Sequence, residues 1–535
     1  MILRSLPIAA LAAVVVFAPP VHARERTQVH PYLEIDQTVF DSLSPTAPAE
    51  TYTTVAAGID ASTSTARAEA QVSARYEYRH AWSNTSGDSN VISGLSRGRY
   101  DIVLNLLTIE GGALGTRTRT DIRGAAPIVG LGDPSNTSQL YSTYVGSTLT
   151  QRVGLLNLGA FYNLGYTKIG SRTPGLLPVG TPALGGFDSS VSQAAGASVG
   201  MKSGALPFGW NASVGYSRDD ASILDERYEG TFVRADIVVP VTPTVALTGG
   251  AGYEKIRSSQ RDALLDASGS AVLDANGRFI TDPASPRRLS YDQSGFIWDV
   301  GVLWRPSRRT SLEAKVGHRY GDMTYIGDFD WQINKDQAFQ IGAYDGITTF
   351  GQQVGGALRS IPTQFVVSRD PFSNQFGGCV FASGTNGAGS CLSPALQSIA
   401  HGTYRSRGFG GVWRYSRNAT SLGFAIGYAQ RRFFVPPVGG FSINGQTDSS
   451  IYVQANIGHR IDEVSGVDTS AYLNWYRSGL NGAPRVLGVG GTASYYRNFG
   501  PRLTGTASVG LYSSEIDGFE TSMTGAAQVG ARYTF

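Results

Sequence analysis

From Ala527 to Phe535 the chain alternates in polarity at every step. Ala527, Val529, Ala531, Tyr533 and Phe535 occupy the odd positions, and Gln528, Gly530, Arg532 and Thr534 the even ones. Successive side chains of a β-strand point to opposite faces, so this segment makes a strand with one apolar and one polar face. The pattern recurs upstream. Leu503, Gly505, Ala507, Val509 and Leu511 oppose Arg502, Thr504, Thr506, Ser508 and Tyr512. Ile451, Val453, Ala455 and Ile457 oppose Tyr452, Gln454, Asn456 and Arg460, while Phe296, Trp298, Val300, Val302 and Trp304 oppose Asp299 and Gly301. Each run approaches the length of a tilted membrane-crossing strand, about 9–11 residues. A soluble sandwich also has one wet face per sheet, so the period alone leaves two all-β architectures open.

Connection lengths separate them. Short polar turns fall at Pro240–Pro243, Arg305–Thr310, Arg417–Thr420, Val464–Val467 and Asn498–Pro501. Between them lie longer connections near 257–290, 435–449, 479–484 and 513–521. Outer-membrane barrels have short periplasmic turns and long outer loops, and counting back from Phe535 nearly every short turn in the second half falls on the periplasmic side. A sandwich has no reason to keep that parity. The aromatic pair Tyr533 and Phe535, closing the last strand, resembles the C-terminal signal that the barrel-assembly machinery of bacterial outer membranes recognises. Met1 to about Ala23 reads as a secretory leader: Arg4, an apolar run from Leu6 to Ala18, then small residues at Val21-His22-Ala23. No later stretch reaches the roughly 18 apolar residues of a transmembrane helix.

The expected fold is therefore a transmembrane antiparallel up-and-down β-barrel in the bacterial outer membrane, with about 18 strands (16–20). Candidate strands lie near 51–62, 66–82, 98–112, 140–153, 155–168, 191–203, 208–217, 229–240, 244–255, 293–305, 310–321, 404–417, 421–434, 451–461, 468–478, 486–499, 501–513 and 527–535. Residues 24–50 are a periplasmic extension or a first strand, and 51–535 form the barrel. Residues 323–401 do not fit the simple pattern and are a long loop or an insert into the lumen; within them Pro394–His401 suits a short helix, and Gln337–Phe350 another strand. Gly (67 residues) and Tyr (26) are abundant, as a large antiparallel wall with aromatic girdles requires. Without the leader 43 basic side chains face 41 acidic ones, a balance that offers nucleic acid nothing.

Chemistry is mostly absent. Cys379 and Cys391 lie close together in a Gly/Ser/Asn-rich segment, and an even, local pair in an exported chain is expected to form a disulfide. Outside the leader the histidines, His30, His80, His318, His401 and His459, are scattered without metal-ligand spacing. Gly196-Ala-Ser-Val-Gly200 has the letters of a nucleophile elbow but sits in an alternating run of small residues, where the strand–turn–helix context is missing. Asp262, Asp266, Asp274 and Asp282 punctuate one outer loop without the spacing of a calcium loop. No enzymatic activity, cofactor or metal is expected.

Several segments resemble the outer-membrane barrels associated with exosortase (PEP-CTERM) and exopolysaccharide loci of proteobacteria. They are Ser93–Tyr100 running on to Gly111–Arg117, then Val302–Glu313, Val316–Gly321 and Tyr415–Thr420. The resemblance implies a role in exporting or organising surface polysaccharide and brings no catalytic residues. The resulting expectation is a porin-like or export conduit for polysaccharide or polar solutes, with outer-membrane lipid and the assembly machinery as partners. The alternative is a structural or adhesion scaffold with a plugged lumen that acts through its outer loops.

Overall fold

The computed structural model describes residues 27–82, 87–124, 136–170, 186–367, 369–376, 378–383, 387–438 and 442–535. The expected leader, Met1–Ala23, lies outside them. The strands are β1 (Gln28–Ser44), β2 (Thr46–Ser64), β3 (Ala68–Ala81), β4 (Ser89–Val103), β5 (Leu107–Arg119), β6 (Thr137–Val153), β7 (Leu156–Ile169) and β8 (Ser189–Met201). Next come β9 (Gly209–Ala221), β10 (Glu226–Pro240), β11 (Val245–Gln260), β12 (Arg288–Ser307), β13 (Thr310–Arg319), β14 (Asp322–Asn334) and β15 (Gln337–Thr348). One helix follows, α1 (Phe350–Ser360), with two short strands, β16 (Cys379–Phe381) and β17 (Gly389–Cys391). The chain ends with β18 (Thr403–Arg417), β19 (Thr420–Phe434), β20 (Thr447–Arg460), β21 (Ser465–Arg477), β22 (Arg485–Asn498), β23 (Leu503–Ile516) and β24 (Ser522–Thr534).

All strands but β16 and β17 belong to one 22-stranded sheet. Each pairs antiparallel with its neighbours in the chain, β15 passes directly to β18, and β24 pairs with β1 from Thr534↔Tyr32 to Met523↔Ser44. That last pairing joins the last strand to the first, so neither is left as a free edge of the sheet. No described helix is long and apolar enough to cross a membrane. On β24 the apolar face points out, with Val529 61% exposed, while Gln528 on the polar face is 8% exposed. An apolar outside around a polar inside is the reverse of a water-soluble fold and places the protein in the outer membrane. The start of β1, the end of β24 and most of the shortest turns share one end, which faces the periplasm.

The expectation of about 18 strands falls short by four. β1, β14 and β15 were not counted, and the expected strand at 98–112 is the junction of two, β4 and β5. Their turn, Leu104-Asn105-Leu106, is apolar except for Asn105, which takes a left-handed φ of 60°, so no polar break marks it. The strands β14 and β15 also shorten the irregular region: what lies between the barrel strands there is 349–402, not 323–401. The short helix expected at Pro394–His401 does not form; α1 lies earlier, at Phe350–Ser360.

The inner wall explains the abundance of Gly and Tyr. Tyr32 pairs with Gly58, Tyr452 with Gly427, Tyr472 with Gly490, Phe161 with Gly196 and Phe232 with Gly215. In each pair the ring lies across the facing glycine, where any Cβ would meet ring atoms. Aromatic cover of a facing glycine pins the register and keeps large rings flat against the wall.

Candidate functional site

Residues 349–402 connect β15 to β18 from the outer end, and their contacts define the centre of the molecule. Thr349 opens α1: its hydroxyl accepts from the Gln352 N–H at 3.3 Å and donates to Asp219 of β9 at 2.8 Å. Phe350, Val354 and Leu358 lie on one face of the helix and are buried against Leu114, Leu140, Tyr144 and Ile169 of β5–β7. After the helix, Arg97 of β4 donates to the Ile361 carbonyl (2.9 Å), and Gln71 of β3 exchanges two hydrogen bonds with the Phe365 backbone (2.9 and 2.7 Å). The Phe372 ring enters an aromatic socket made by Phe40 of β1, Tyr52 of β2 and Tyr512 of β23. Thr116 of β5 donates to the Phe376 carbonyl at 2.6 Å.

The returning limb touches the other strands. The Cys379 N–H donates to Gln454 of β20 (2.7 Å), and Arg414 of β18 donates to the Gly387 carbonyl (2.7 Å). Arg431 of β19 holds the Ser398 carbonyl at 2.8 Å, and the Gly402 N–H reaches Glu226 of β10 at 3.0 Å. A segment bonded to β3–β5, β9, β10, β18–β20 and β23 of one closed ring lies inside that ring. Its bonds run to inward-facing side chains of the wall, such as Gln71, Arg97, Thr116 and Arg431. Most of these bonds join a buried wall side chain to the backbone of the insert, which makes docking specific and expensive to disrupt.

Cys379 and Cys391 face each other across β16 and β17 and are joined as a disulfide. Phe381, two residues after Cys379, packs against Gly423 and lies in a small core with Ala338, Val412, Ala425 and Tyr452. Replacing both cysteines by serine is expected to remove about 3 kcal/mol of chain restriction from this hairpin. The hairpin should become protease-sensitive while the unfolding midpoint of the barrel stays unchanged, as followed by heat-modifiable gel mobility.

Asp370 is the acid of the insert. Its carboxylate accepts from the Phe372 and Ser373 N–H groups (2.9 Å each) and from the Tyr512 hydroxyl (2.9 Å). Burial outweighs these bonds and pushes the carboxyl above its ordinary 3.8. A raised native value means that docking is strongest below the ordinary value and weakens as pH rises through the native one. Proteolysis within 349–402 is therefore expected to be slower at a pH below the ordinary carboxylate value than at a pH above the raised one, with Asp370→Asn reducing the difference.

The other candidate residues are dispersed. Gly196–Gly200 lies in mid-strand β8, without the turn and helix an elbow needs. Asp266 and Asp274 each accept two backbone N–H bonds within tight turns, and Asp282 accepts one from Ala284. Asp262 pairs with Arg288 at 3.0 Å. His80 meets Asp88, and His459 meets Thr420, on separate strands. Among the described residues no group of three or more His, Cys, Asp or Glu is placed to hold a metal. Tyr533 and Phe535 point away from the lumen with their rings 5.2 Å apart. The insert's contacts escaped the sequence reading; the one local signal was Thr349 followed by apolar residues at Phe350, Val354 and Leu358, an N-cap and one helix face.

No family model matches the chain, and no curated protein does. Among solved structures it is similar to the FrpB iron transporter from Neisseria meningitidis (F3-3 variant), at 10% identity over 94% of this chain and 81% of that one, with a TM-score of 0.40. It is also similar to the siderophore receptor PiuA from Acinetobacter baumannii (9%, 94% and 82%, 0.40) and to the ferric-catecholate import receptor Fiu from E. coli K12 (10%, 94% and 81%, 0.42). Likeness at this level says nothing about substrate. The resemblance to exosortase-associated barrels is overturned, since the similar chains are iron and siderophore transporters. The segments that carried it lie largely in β4, β5, β12, β13 and β18, strand-and-turn patterns that any large barrel repeats.

Proposed function

We propose that this chain is a non-enzymatic, gated transporter of the outer membrane, held shut at rest by residues 349–402. The observation that carries the reading is the docking of that segment on β3–β5, β9, β10, β18–β20 and β23 of a 22-stranded ring. Barrels of 16–18 strands leave an aqueous channel, whereas 22-stranded outer-membrane transporters hold a plugged lumen. Tyr533 and Phe535, facing lipid on the closing strand, are proposed as the assembly signal.

The register makes a clean test available. Thr348 pairs with Tyr404 across β15 and β18, so 350–401 can be replaced by a short hairpin turn without moving either strand. In planar bilayers the intact protein is expected to give no steady conductance steps, and the deleted one large, stable steps. Steady steps from the intact protein, or no difference on deletion, would overturn the reading. The second reading is a plugged scaffold acting through its outer loops, favoured by the 261–287 loop, which carries its own bridges at Ala263↔Thr281, Leu265↔Ala271 and Leu273↔Phe279. A deleted form that conducts, beside an intact form that never admits solute in liposome-swelling assays, would favour that scaffold.

A further inference from the structure

Both ends of the insert are tied to one hairpin of the wall. At the first end Thr349 donates its hydroxyl proton to Asp219 of β9 at 2.8 Å. At the other, the Gly402 N–H donates to Glu226 of β10 at 3.0 Å, and the Thr403 hydroxyl meets the second Glu226 oxygen at 3.1 Å. Gly402 takes a left-handed φ of 84°, and a Cβ there would run into Val435. The chain therefore turns at this glycine and aims its N–H at the carboxyl. β9 and β10 are paired, with Asp219 opposite Tyr228 and Glu226 opposite Ala221. The strand period of two then puts both acids on one face as diagonal neighbours. The start and the return of the insert converge on a single pair of carboxyls.

Both acids are buried, and their partners are neutral. Besides Thr349, Asp219 faces the Ser190 hydroxyl of β8 and Gly351 of α1. Beside Glu226, the Thr403 hydroxyl also reaches Ser258 of β11 at 2.6 Å. The other titratable side chains turned this way are Tyr228 of β10 and Tyr404 of β18, whose hydroxyl donates to Gln353 at 2.7 Å. Nearby charges are engaged elsewhere. Arg431 lies over the far side of this cluster, on the Tyr404 ring, and binds Ser398. Asp225 holds Arg261 and Arg287, Asp220 pairs with Arg218 and Arg227, and the His401 ring meets Phe279. Among the described residues no Lys or Arg offsets either carboxyl.

Acids in this setting keep their protons. The Thr403 hydroxyl carries one proton and stands between Ser258 and Glu226. When it donates to the nearer Ser258, the contact with Glu226 needs a proton from the acid. On the outward face at this height lie the ion-paired Arg218, Asp220 and Arg227, which sets the hairpin end above the lipid hydrocarbon. Burial is the largest influence on both carboxyls, and at Glu226 the neighbouring Asp219 adds to it. Asp219 is pushed up from 3.8 to about 7, and Glu226 from 4.5 to about 7. Lifting the insert's ends would return both groups to water and to their ordinary values. Docking is then strongest below those ordinary values and is lost as pH rises through the docked ones. Above them, two like charges would share one buried face under the ends of the insert.

We infer that Asp219 and Glu226 form a proton-held latch, which fastens both ends of residues 349–402 to the β9–β10 hairpin while protonated and frees them when the protons leave. The inference rests on the reading of 349–402 as the plug, yet the two fail separately. Conductance of the deleted form reads the plug, and the pH profile of the intact protein reads the latch. Amide protection, corrected for intrinsic exchange at each pH, is expected to fall about a hundredfold over 349–360 and 398–405 as pH rises from about 5 to about 8. That is one released proton per end over about two pH units. Protection in β20–β23 should hold. Asn and Gln carry the hydrogen-bonding pattern of the neutral acids, so Asp219→Asn with Glu226→Gln should remove the fall at both ends. The slope that Asp370 gives the middle of the insert should persist in that variant. A flat profile in the wild type, which needs no variant to measure, would overturn the latch. An undiminished fall in a double variant that still gives a heat-modifiable folded band would overturn it equally.

Discussion

An Arg431→Leu variant is expected to release the returning limb of the lumen insert at a cost of about 3–5 kcal/mol. Arg431 is fully buried, at 0% exposure. Its guanidinium donates to the Ser398 carbonyl and hydroxyl and lies over the Tyr404 and Phe433 rings. Directly across the strand pair sits Asp448, 5% exposed and otherwise held by the Gly479 N–H at 3.2 Å. Removing the cation leaves the buried Ser398 carbonyl without its partner and takes away the opposite charge that faces Asp448 across the strand pair, a larger loss than the net worth of the bonds themselves. Limited proteolysis should then cut within 392–402 at rates the wild type does not show, and conductance should begin to flicker. Arg431→Lys is not expected to rescue, because one ammonium cannot reproduce the fork that binds both Ser398 groups. Arg431→Leu with Asp448→Leu should recover a large part of the stability, since it removes both charges. Full recovery of stability with continued cleavage would assign the limb's anchorage to the Ser398 bonds alone.

What was legible in the sequence was local. The alternation in β20, β23 and β24 states the lipid face residue by residue, and the parity of turn lengths states the topology, because both follow from neighbours in the chain. β14 was legible in principle: Tyr325, Gly327, Phe329 and Trp331 alternate with Asp328 and Asp330. Ile326 on the lumenal face interrupts that pattern. β1 is disguised in the same way, with Gln37 among the outward residues and Tyr32 and Phe40 among the inward ones. The insert was illegible for a different reason. Gln71 meets Phe365 across 294 positions, Arg79 meets Phe372 across 293 and Thr116 meets Phe376 across 260. These are bonds from wall side chains to backbone carbonyls and amides, which leave no composition or spacing to read.

Where the ring closes, Arg75→Met should give the largest loss in the barrel wall, several kcal/mol by the measure of a broken buried ion pair, about 3–5. Arg75 is 2% exposed and binds Glu34 (2.8 Å), Asp36 (3.3 Å) and Glu77 (3.0 Å). Glu77 is shared with Arg79 at 2.6 Å, so three carboxylates on β1 and β3 are organised by two cations. Beside them the closing strands β1 and β24 are joined on their inner face by Gln528 to Thr38 (3.1 Å) and by Arg532 lying 3.4 Å from the Tyr32 ring. Losing the Arg75 charge sets Glu34 against Asp36 on one strand, next to the seam on which closure depends. The expected readout is a folded band that survives less heating and unfolds at lower urea. Adding Glu34→Gln and Asp36→Asn should restore most of the loss, because Glu77 then keeps Arg79 as its partner and no unpaired charge remains. A loss below about 1 kcal/mol, the range of exposed pairs, would mean that lumen water already solvates these groups. The cluster would then line an aqueous path instead of sealing the wall.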